Sequence, residues 1–285
     1  MVVRKYKEEV EHDWLHAEEF SKEAVASVAA LSIGARPPQA GAMPGRPASE
    51  ASGTENRFSN VMAIAAHPGD AFFAMGAPVA LATHQGGKGS LLSLSSGENG
   101  SATIPPKQYG EAQRESTRKA AASIRAEAMF LPYSDGEIPV NDEAKFAVCD
   151  FIREYKPDVI VTHWRGSWHK DHQACYDIVQ DAIFYAALPA IVRKQPAHSV
   201  AKLFFDDNWE DATGFVPDTY LDITPVFERW KNACAMFPMW RGETGFRYND
   251  YYSSLAVARG CVSNFKKAVA LMSSPEQRVR RLQSL

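Results

Sequence analysis

Asn60-Val61-Met62-Ala63-Ile64-Ala65-Ala66-His67-Pro68-Gly69-Asp70 decides how this chain is read. Val61 to Ala66 is an unbroken apolar run, the pattern of a short strand covered on both faces. Pro68 and Gly69 stop it at a turn, which carries an imidazole (His67) and a carboxylate (Asp70). Strands and helices alternate from there. A helix is expected over residues 77–85, with Pro78 in its first turn and Gly86, Gly87 and Gly89 behind it. Residues 90–95 read as a strand, followed by the loop Gly97-Glu98-Asn99-Gly100. A helix over 111–125 and a strand over 128–131 come next, the strand closed by Asp135-Gly136. A helix over 142–155 stops before Pro157, and a strand over 159–162 leads through a histidine-rich turn into a helix over 171–187. This order predicts an α/β fold: a Rossmann-like, mostly parallel sheet with helices on both faces and its chemistry at the carboxyl ends of the strands. An N-terminal helical extension and a smaller C-terminal α+β part complete the expectation.

Composition sets the class of molecule. Of 285 residues, 45% are apolar and 23% charged, as in an ordinary soluble globular protein. The formal charge is 31 − 34 = −3, which argues against nonspecific nucleic-acid binding. No apolar run approaches the ~18 residues of a membrane span. Cys149, Cys175, Cys234 and Cys261 are scattered without a C-x-x-C pair, so no disulfide framework is expected. The start of the chain lacks the pure apolar run of a signal peptide, and cytoplasm is the expected compartment. Val10, Trp14, Ala17, Ala24, Val28 and Leu31 recur at helical spacing, so residues 1–31 predict an amphipathic helix. It would pack on its own domain or on a second copy of the chain, which makes a homo-oligomer one expectation. Pro37, Pro38, Gly41, Pro44, Gly45, Pro47 and Gly53 then mark a linker over 32–56.

Two histidine-bearing turns fall at predicted strand ends: His67-Pro68-Gly69-Asp70 and His169-Lys170-Asp171-His172. In a parallel sheet both can face one crevice. His67, Asp70 and His172 then offer two imidazoles and one carboxylate, a set suited to Zn²⁺ or another divalent transition metal with positions open for water and substrate.

These residues carry a resemblance. Ala66-His67-Pro68-Gly69-Asp70-Ala71 resembles the A-H-P-D-D-E signature of the LmbE-like or PIG-L-type zinc N-deacetylases, and His169-Lys170-Asp171-His172 their H-x-D-H signature. Residues 93–100 resemble the family's T-x-G-E-x-G loop, Asp135-Gly136 its D-G turn, and Lys156-Pro157-Asp158-Val159-Ile160 its R-P-D-V-V lead-in. Leu221-Asp222-Ile223-Thr224 and Lys231 resemble its D-I-T…K segment. The likeness implies a deacetylase domain over residues 57–275, after an N-terminal part over 1–56 and before a tail over 276–285. It implies His67, Asp70 and His172 as metal ligands, and His169 as the group that stabilises the oxyanion or protonates the leaving amine. Asp171 would orient an imidazole. Arg114 and Asp135 would bind substrate, with Glu98 reaching the crevice from the neighbouring strand. A solvated helix face and a turn cap are the plain alternatives for Arg114 and Asp135.

One departure bears on the chemistry. The family's general base stands where this chain has Gly69, and its Glu where this chain has Ala71. Loss of a general base costs about 10²- to 10⁴-fold in rate. Glu98, His169 and Asp171 are the candidates to replace it. The expected function is metal-dependent hydrolysis of an N-acyl group from an amino sugar or related small glycoside. The alternative is a degenerate member that binds metal and glycoside with little turnover. A nucleotide-binding Rossmann protein is set aside, because the first turn is not G-x-G-x-x-G. Trp168 offers either an apolar face to a sugar ring or core packing, whereas Trp209, Phe215, Trp230, Phe237 and Trp240 read mainly as core or interface. Deleting residues 1–50 should leave a soluble, cooperatively folding core by circular dichroism and thermal melting; precipitation or a changed oligomeric state would make the first helix structural.

Overall fold

The structure is a computed structural model and describes residues 59–275. The expected N-terminal helix, the linker and the tail beyond residue 275 lie outside the described residues. So does the expected domain boundary at residue 56.

Strand β1 (Asn60–Ala65) is the middle one of five parallel strands. Its run without alternation has a direct cause. Val61, Ala63 and Ala65 belong to the core on one face, and Met62 and Ile64 to the core on the other. A strand covered on both sides needs apolar residues at every position. Helices α1 (Pro68–Phe73) and α2 (Gly76–His84) follow at once. The expected turn at Pro68-Gly69 is therefore the first turn of a helix: Pro68 occupies its opening position, where a missing N–H is harmless, and His67 stands just before it. Strand β2 (Lys88–Ser95), helix α3 (Pro106–Ser123), strand β3 (Glu127–Tyr133) and helix α4 (Asp142–Tyr155) come next. Helix α3 begins about a turn earlier than its Ala- and Glu-rich stretch suggests, with Pro106 at its start. Asn141 caps α4 by accepting from the Ala144 N–H, and Lys156 closes it in the left-handed region at φ 50°.

Strand β4 (Val159–Thr162), helix α5 (Lys170–Ala187) and strand β5 (Lys202–Asp206) complete the parallel part. A one-turn 3-10 helix (Trp209–Asp211) leads to strand β6 (Thr219–Asp222) and helix α6 (Phe227–Cys234). A second 3-10 turn (Pro238–Arg241), helix α7 (Tyr248–Ser263) and strand β7 (Ala268–Ser273) follow. Among the described residues the strands form one sheet in the order β3-β2-β1-β4-β5-β7-β6. Strands β3 to β5 in that order pair in parallel, and β7 runs antiparallel to both β5 and β6. The C-terminal α+β part thus extends the same sheet. Trp230, Phe237 and Trp240 are buried in it, as expected.

Strand order reverses between β1 and β4, which pair directly. Connections leave these neighbours toward opposite sides and open a crevice beyond their carboxyl ends. His67 follows β1, and the segment leading to His169 follows β4. No helix among the described residues is long and apolar enough to cross a membrane.

Arg153 sets the far end of α5. It is buried, and its guanidinium donates to the carbonyls of Tyr185, Ala186, Leu188, Ile191 and Gln195. Those carbonyls end α5 and continue past it, where the helix dipole is negative and no helical N–H is available. Arg153→Met should orphan them and destabilise the fold by about 2–4 kcal/mol, read as a lowered urea midpoint.

Candidate metal centre

The first elements to meet are the end of β1 and the start of α5. His67 Nδ1 lies 3.0 Å from Asp70 Oδ2, and His172 Nε2 lies 3.3 Å from the same oxygen. Two chain-distant turns thus converge, and His67, Asp70 and His172 can present one ligand atom each within 4.8 Å of one another. His169 stands just before α5, where its Nδ1 accepts the Asp171 N–H at 3.2 Å. That bond leaves Nε2 as the hydrogen-bearing nitrogen of a neutral ring. Burial, then the neighbouring imidazoles of His172 and His67, lower the His169 pKa to about 4, so the ring is neutral near pH 7.

Behind these groups lies Asp211, buried at the end of the 3-10 turn after β5. Its two oxygens take one imidazole each: Oδ1 is 2.8 Å from His172 Nδ1 and Oδ2 is 2.8 Å from His163 Nδ1. His163 Nε2 accepts the Ala66 N–H at 3.1 Å, so its Nδ1 carries the hydrogen and donates to Asp211. His172 likewise donates from Nδ1, which turns Nε2 toward Asp70. That nitrogen is buried and makes no hydrogen bond, although Glu210 Oε2 also lies 3.5 Å away. A buried donor or acceptor left unpaired costs about 1–3 kcal/mol. Burial works against a charged His172, but Asp70 and then Asp211 raise its pKa to about 10, so this cluster of carboxylates favours a positive charge at Nε2. A divalent cation held by His67, Asp70 and His172 meets both conditions, and a carboxylate behind a ligating histidine is a common way to fix its orientation.

His67 shows the same demand. Its Nε2 lies 3.0 Å from Asp135 Oδ1 and 3.3 Å from Asp171 Oδ2. Burial opposes its protonation, yet Asp135, Asp171 and Asp70 together raise its pKa well above the ordinary value. Asp171 also accepts the Gly136 N–H at 2.6 Å, tying the turn after β3 to α5. Asp70 is held well below the usual carboxylate range: burial opposes this, and His172 then His67 outweigh it. Asn208 donates to its Oδ1 at 3.0 Å.

A cavity of about 140 Å³ opens in front of the cluster. His67, Asp70, Asp135 and His169 line it. Glu98 does not; it accepts from Ser96 Oγ at 2.9 Å and from the Asp135 N–H at 2.8 Å, so it braces the loop that presents Asp135. Arg114 is not among the lining residues either. Its guanidinium lies over the Phe130 ring, 5.1 Å from the centroid, and Gln113 from the same helix faces the cavity instead. His163 is a buried brace between the Ala66 N–H and Asp211.

Glu210 and Asp211 were not singled out from the sequence. The signal was the apolar stretch Leu203-Phe204-Phe205 followed by Asp206-Asp207-Asn208-Trp209-Glu210-Asp211, an acidic turn at a strand end. Glu210 lines the cavity. Burial, then Asp70, raise its pKa to about 7.

Position 69 carries more than a missing carboxylate. A Cβ there would lie 3.2 Å from Met239 Sδ and 3.4 Å from the Phe73 ring. Gln113 Nε2 lies 3.6 Å from the same sulfur. A thioether therefore occupies the space beside Gly69. Ala71 is buried in the core.

Comparison with known proteins agrees with this architecture. The family described as PIG-L: GlcNAc-PI de-N-acetylase matches residues 62–183. A 4-oxalmesaconate hydratase of Pseudomonas putida KT2440 is 24% identical over 215 residues, 70% of this chain and 80% of that protein. The crystal structure of GalB, the 4-carboxy-2-hydroxymuconate hydratase of the same organism, shares the fold at a TM-score of 0.71 and 21% identity, over 79% of this chain and 98% of that one. The N,N'-diacetylchitobiose deacetylase of Pyrococcus horikoshii shares it at a TM-score of 0.65 and 17% identity, over 76% and 84%.

His172→Ala should lower bound zinc severalfold by elemental analysis after dialysis, and Asp211→Asn should weaken zinc affinity about 10- to 100-fold. Unchanged stoichiometry and affinity in both variants would contradict the ligand set.

Proposed function

From a chain whose residues 62–183 match the PIG-L family model, we propose a metal-dependent hydrolase that removes an N-acyl group from a small amino sugar or glycoside. The observation that carries this reading is the buried Nε2 of His172, which makes no hydrogen bond of good geometry and lies 3.3 Å from Asp70 Oδ2 and 3.5 Å from Glu210 Oε2, two carboxylates that line the cavity. His67, Asp70 and His172 would hold the ion. A zinc-type ion there supplies Lewis acidity and a water acidified toward neutral pH.

The chain's own groups account for the remaining steps. Glu210 lines the cavity with its Oε2 3.5 Å from His172 Nε2, and it would take the proton from the attacking water in the role that Gly69 cannot fill. His169 Nε2–H is a neutral donor facing the cavity and suits the oxygen on which charge develops. Asp171 and Asp135 orient His67, and Asp211 orients His172. The cavity of about 140 Å³ suits the reacting acyl-amide end of such a substrate.

A second reading is hydration of an unsaturated carboxylate of the kind named for the Pseudomonas relatives. It is favoured by the 24% identical hydratase and by the absence of a side chain at position 69. The described residues lining the cavity include no Lys or Arg, so a polyanionic substrate would meet only the ion held by His67, Asp70 and His172, and this favours deacylation.

Zinc-loaded protein should release acetate from N-acetylglucosaminides. Glu210→Gln should lower kcat about 10²- to 10⁴-fold while keeping its zinc. Turnover of 4-oxalmesaconate without acetate release would favour the second reading. Zinc binding with neither activity would support the degenerate member.

A further inference from the structure

Beside the cavity mouth, four aromatic rings from three chain segments form a ladder. Trp168, one residue before His169, is 66% exposed. Its ring lies 5.8 Å from that of His169 and 5.7 Å from that of Trp209, the neighbour of Glu210. Trp209 stacks on Phe246 at 4.5 Å with an interplanar angle of 12°, and Phe246 meets Tyr248 edge-on at 4.7 Å. His169, Glu210 and Tyr248 line the cavity, so the ladder begins where the cavity ends. On its other side Phe246 enters a shallow groove of about 670 Å³ along the first half of α7, walled mainly by Phe246, Tyr251 and Leu255.

The ladder is built as well as exposed. The Trp168 N–H donates to the Glu210 carbonyl at 3.2 Å, which fixes the loop after β4 to the 3-10 turn. One turn further, Gly166 approaches so closely that a Cβ there would overlap the Thr213 carbonyl oxygen at 1.8 Å. The loop carrying Trp168 is therefore pinned at two points. A 66% exposed tryptophan on a pinned loop is an unusual use of apolar surface unless something covers it. The charged pair at the groove, Arg247 and Asp250, is bonded to itself at 2.6 Å, and the surface that Trp168, Trp209 and Phe246 build beside the cavity is aromatic.

We propose that Trp168, Trp209 and Phe246 form a substrate subsite that stacks a planar aromatic group attached to the part of the substrate held in the cavity. The subsite rests on the proposed function only for the identity of the group in the cavity. A flat ring lying against Trp168 gains both area burial and ring–ring geometry. The small cavity then handles the reacting end, and the aromatic portion selects among substrates.

Four probes test this by calorimetry on the zinc-loaded full chain: phenyl and methyl N-acetyl-β-D-glucosaminide, and phenyl and methyl β-D-glucoside. Each phenyl probe should bind about tenfold more tightly than its methyl partner. Trp168→Ala should abolish that difference and leave the methyl probes unchanged, and Phe246→Leu should reduce it, with thermal melts confirming that both variants fold. Equal affinity for phenyl and methyl probes in the wild type, undetectable phenyl binding, or a difference that survives both variants overturns the subsite. A ladder-dependent phenyl preference on both sugars without acetate release sinks the proposed hydrolysis and keeps the subsite. Acetate release from both glucosaminides with no phenyl preference does the reverse.

Discussion

A buried carboxylate shared by two imidazoles organises this site. Asp211 is fully buried, and an ionised carboxylate in such a place costs several kcal/mol unless strong donors meet it. His163 and His172 meet it, each at 2.8 Å, and hold its carboxyl well below the usual range against the opposing effect of burial. The consequence runs outward. The Ala66 N–H at the end of β1 sets the tautomer of His163, His163 and His172 share Asp211, and the other nitrogen of His172 lies 3.3 Å from Asp70 Oδ2. The central strand, the strand beside it, and the turn after β5 are thus joined by hydrogen bonds that end at the candidate metal position.

Charge balance follows from that arrangement. Asp70, Asp135, Asp171, Asp211 and Glu210 converge on His67 and His172, and both histidines have pKa values raised against burial. The cluster is short of positive charge, which a proton or a divalent cation can supply. His169 differs although it stands beside them: it gives its Nδ1 lone pair to a backbone N–H and stays neutral. Adjacent imidazoles with opposite protonation tendencies suit different tasks, one holding a cation and the other donating a hydrogen bond.

Gly69 and Met239 show how a pocket can change chemistry without a change of fold. The thioether beside Gly69 makes that wall of the cavity apolar, while Glu210 brings a carboxylate from the other side of His172. In the proposed hydrolysis the acid–base group would come from the segment after β5 and not from the position the motif suggests. The same 3-10 turn carries Trp209, so the segment after β5 contributes the histidine brace, the cavity carboxylate and part of the aromatic ladder.

The sequence alone determined those features that depend on local pattern. The run Val61 to Ala66 had to be a strand buried on both sides, because no polar position interrupts it. His67, Asp70 and His172 could be read from their places at a strand end or helix start, where chain direction brings side chains to one edge of a parallel sheet, whereas Asp135, His169 and Asp171 came from the resemblance of their motifs. Tertiary structure decided the rest. Arg114 and Glu98 lie at the right chain positions, yet one stacks on Phe130 and the other braces a loop, since side-chain direction depends on neighbours distant in the chain. Asp211, Glu210 and Met239 carry no periodic signal of their own. They act only because folding brings the first 3-10 turn, with Glu210 and Asp211, and the second, with Met239, against the end of β1, and the burial that follows is what gives a carboxylate or a thioether its effect there.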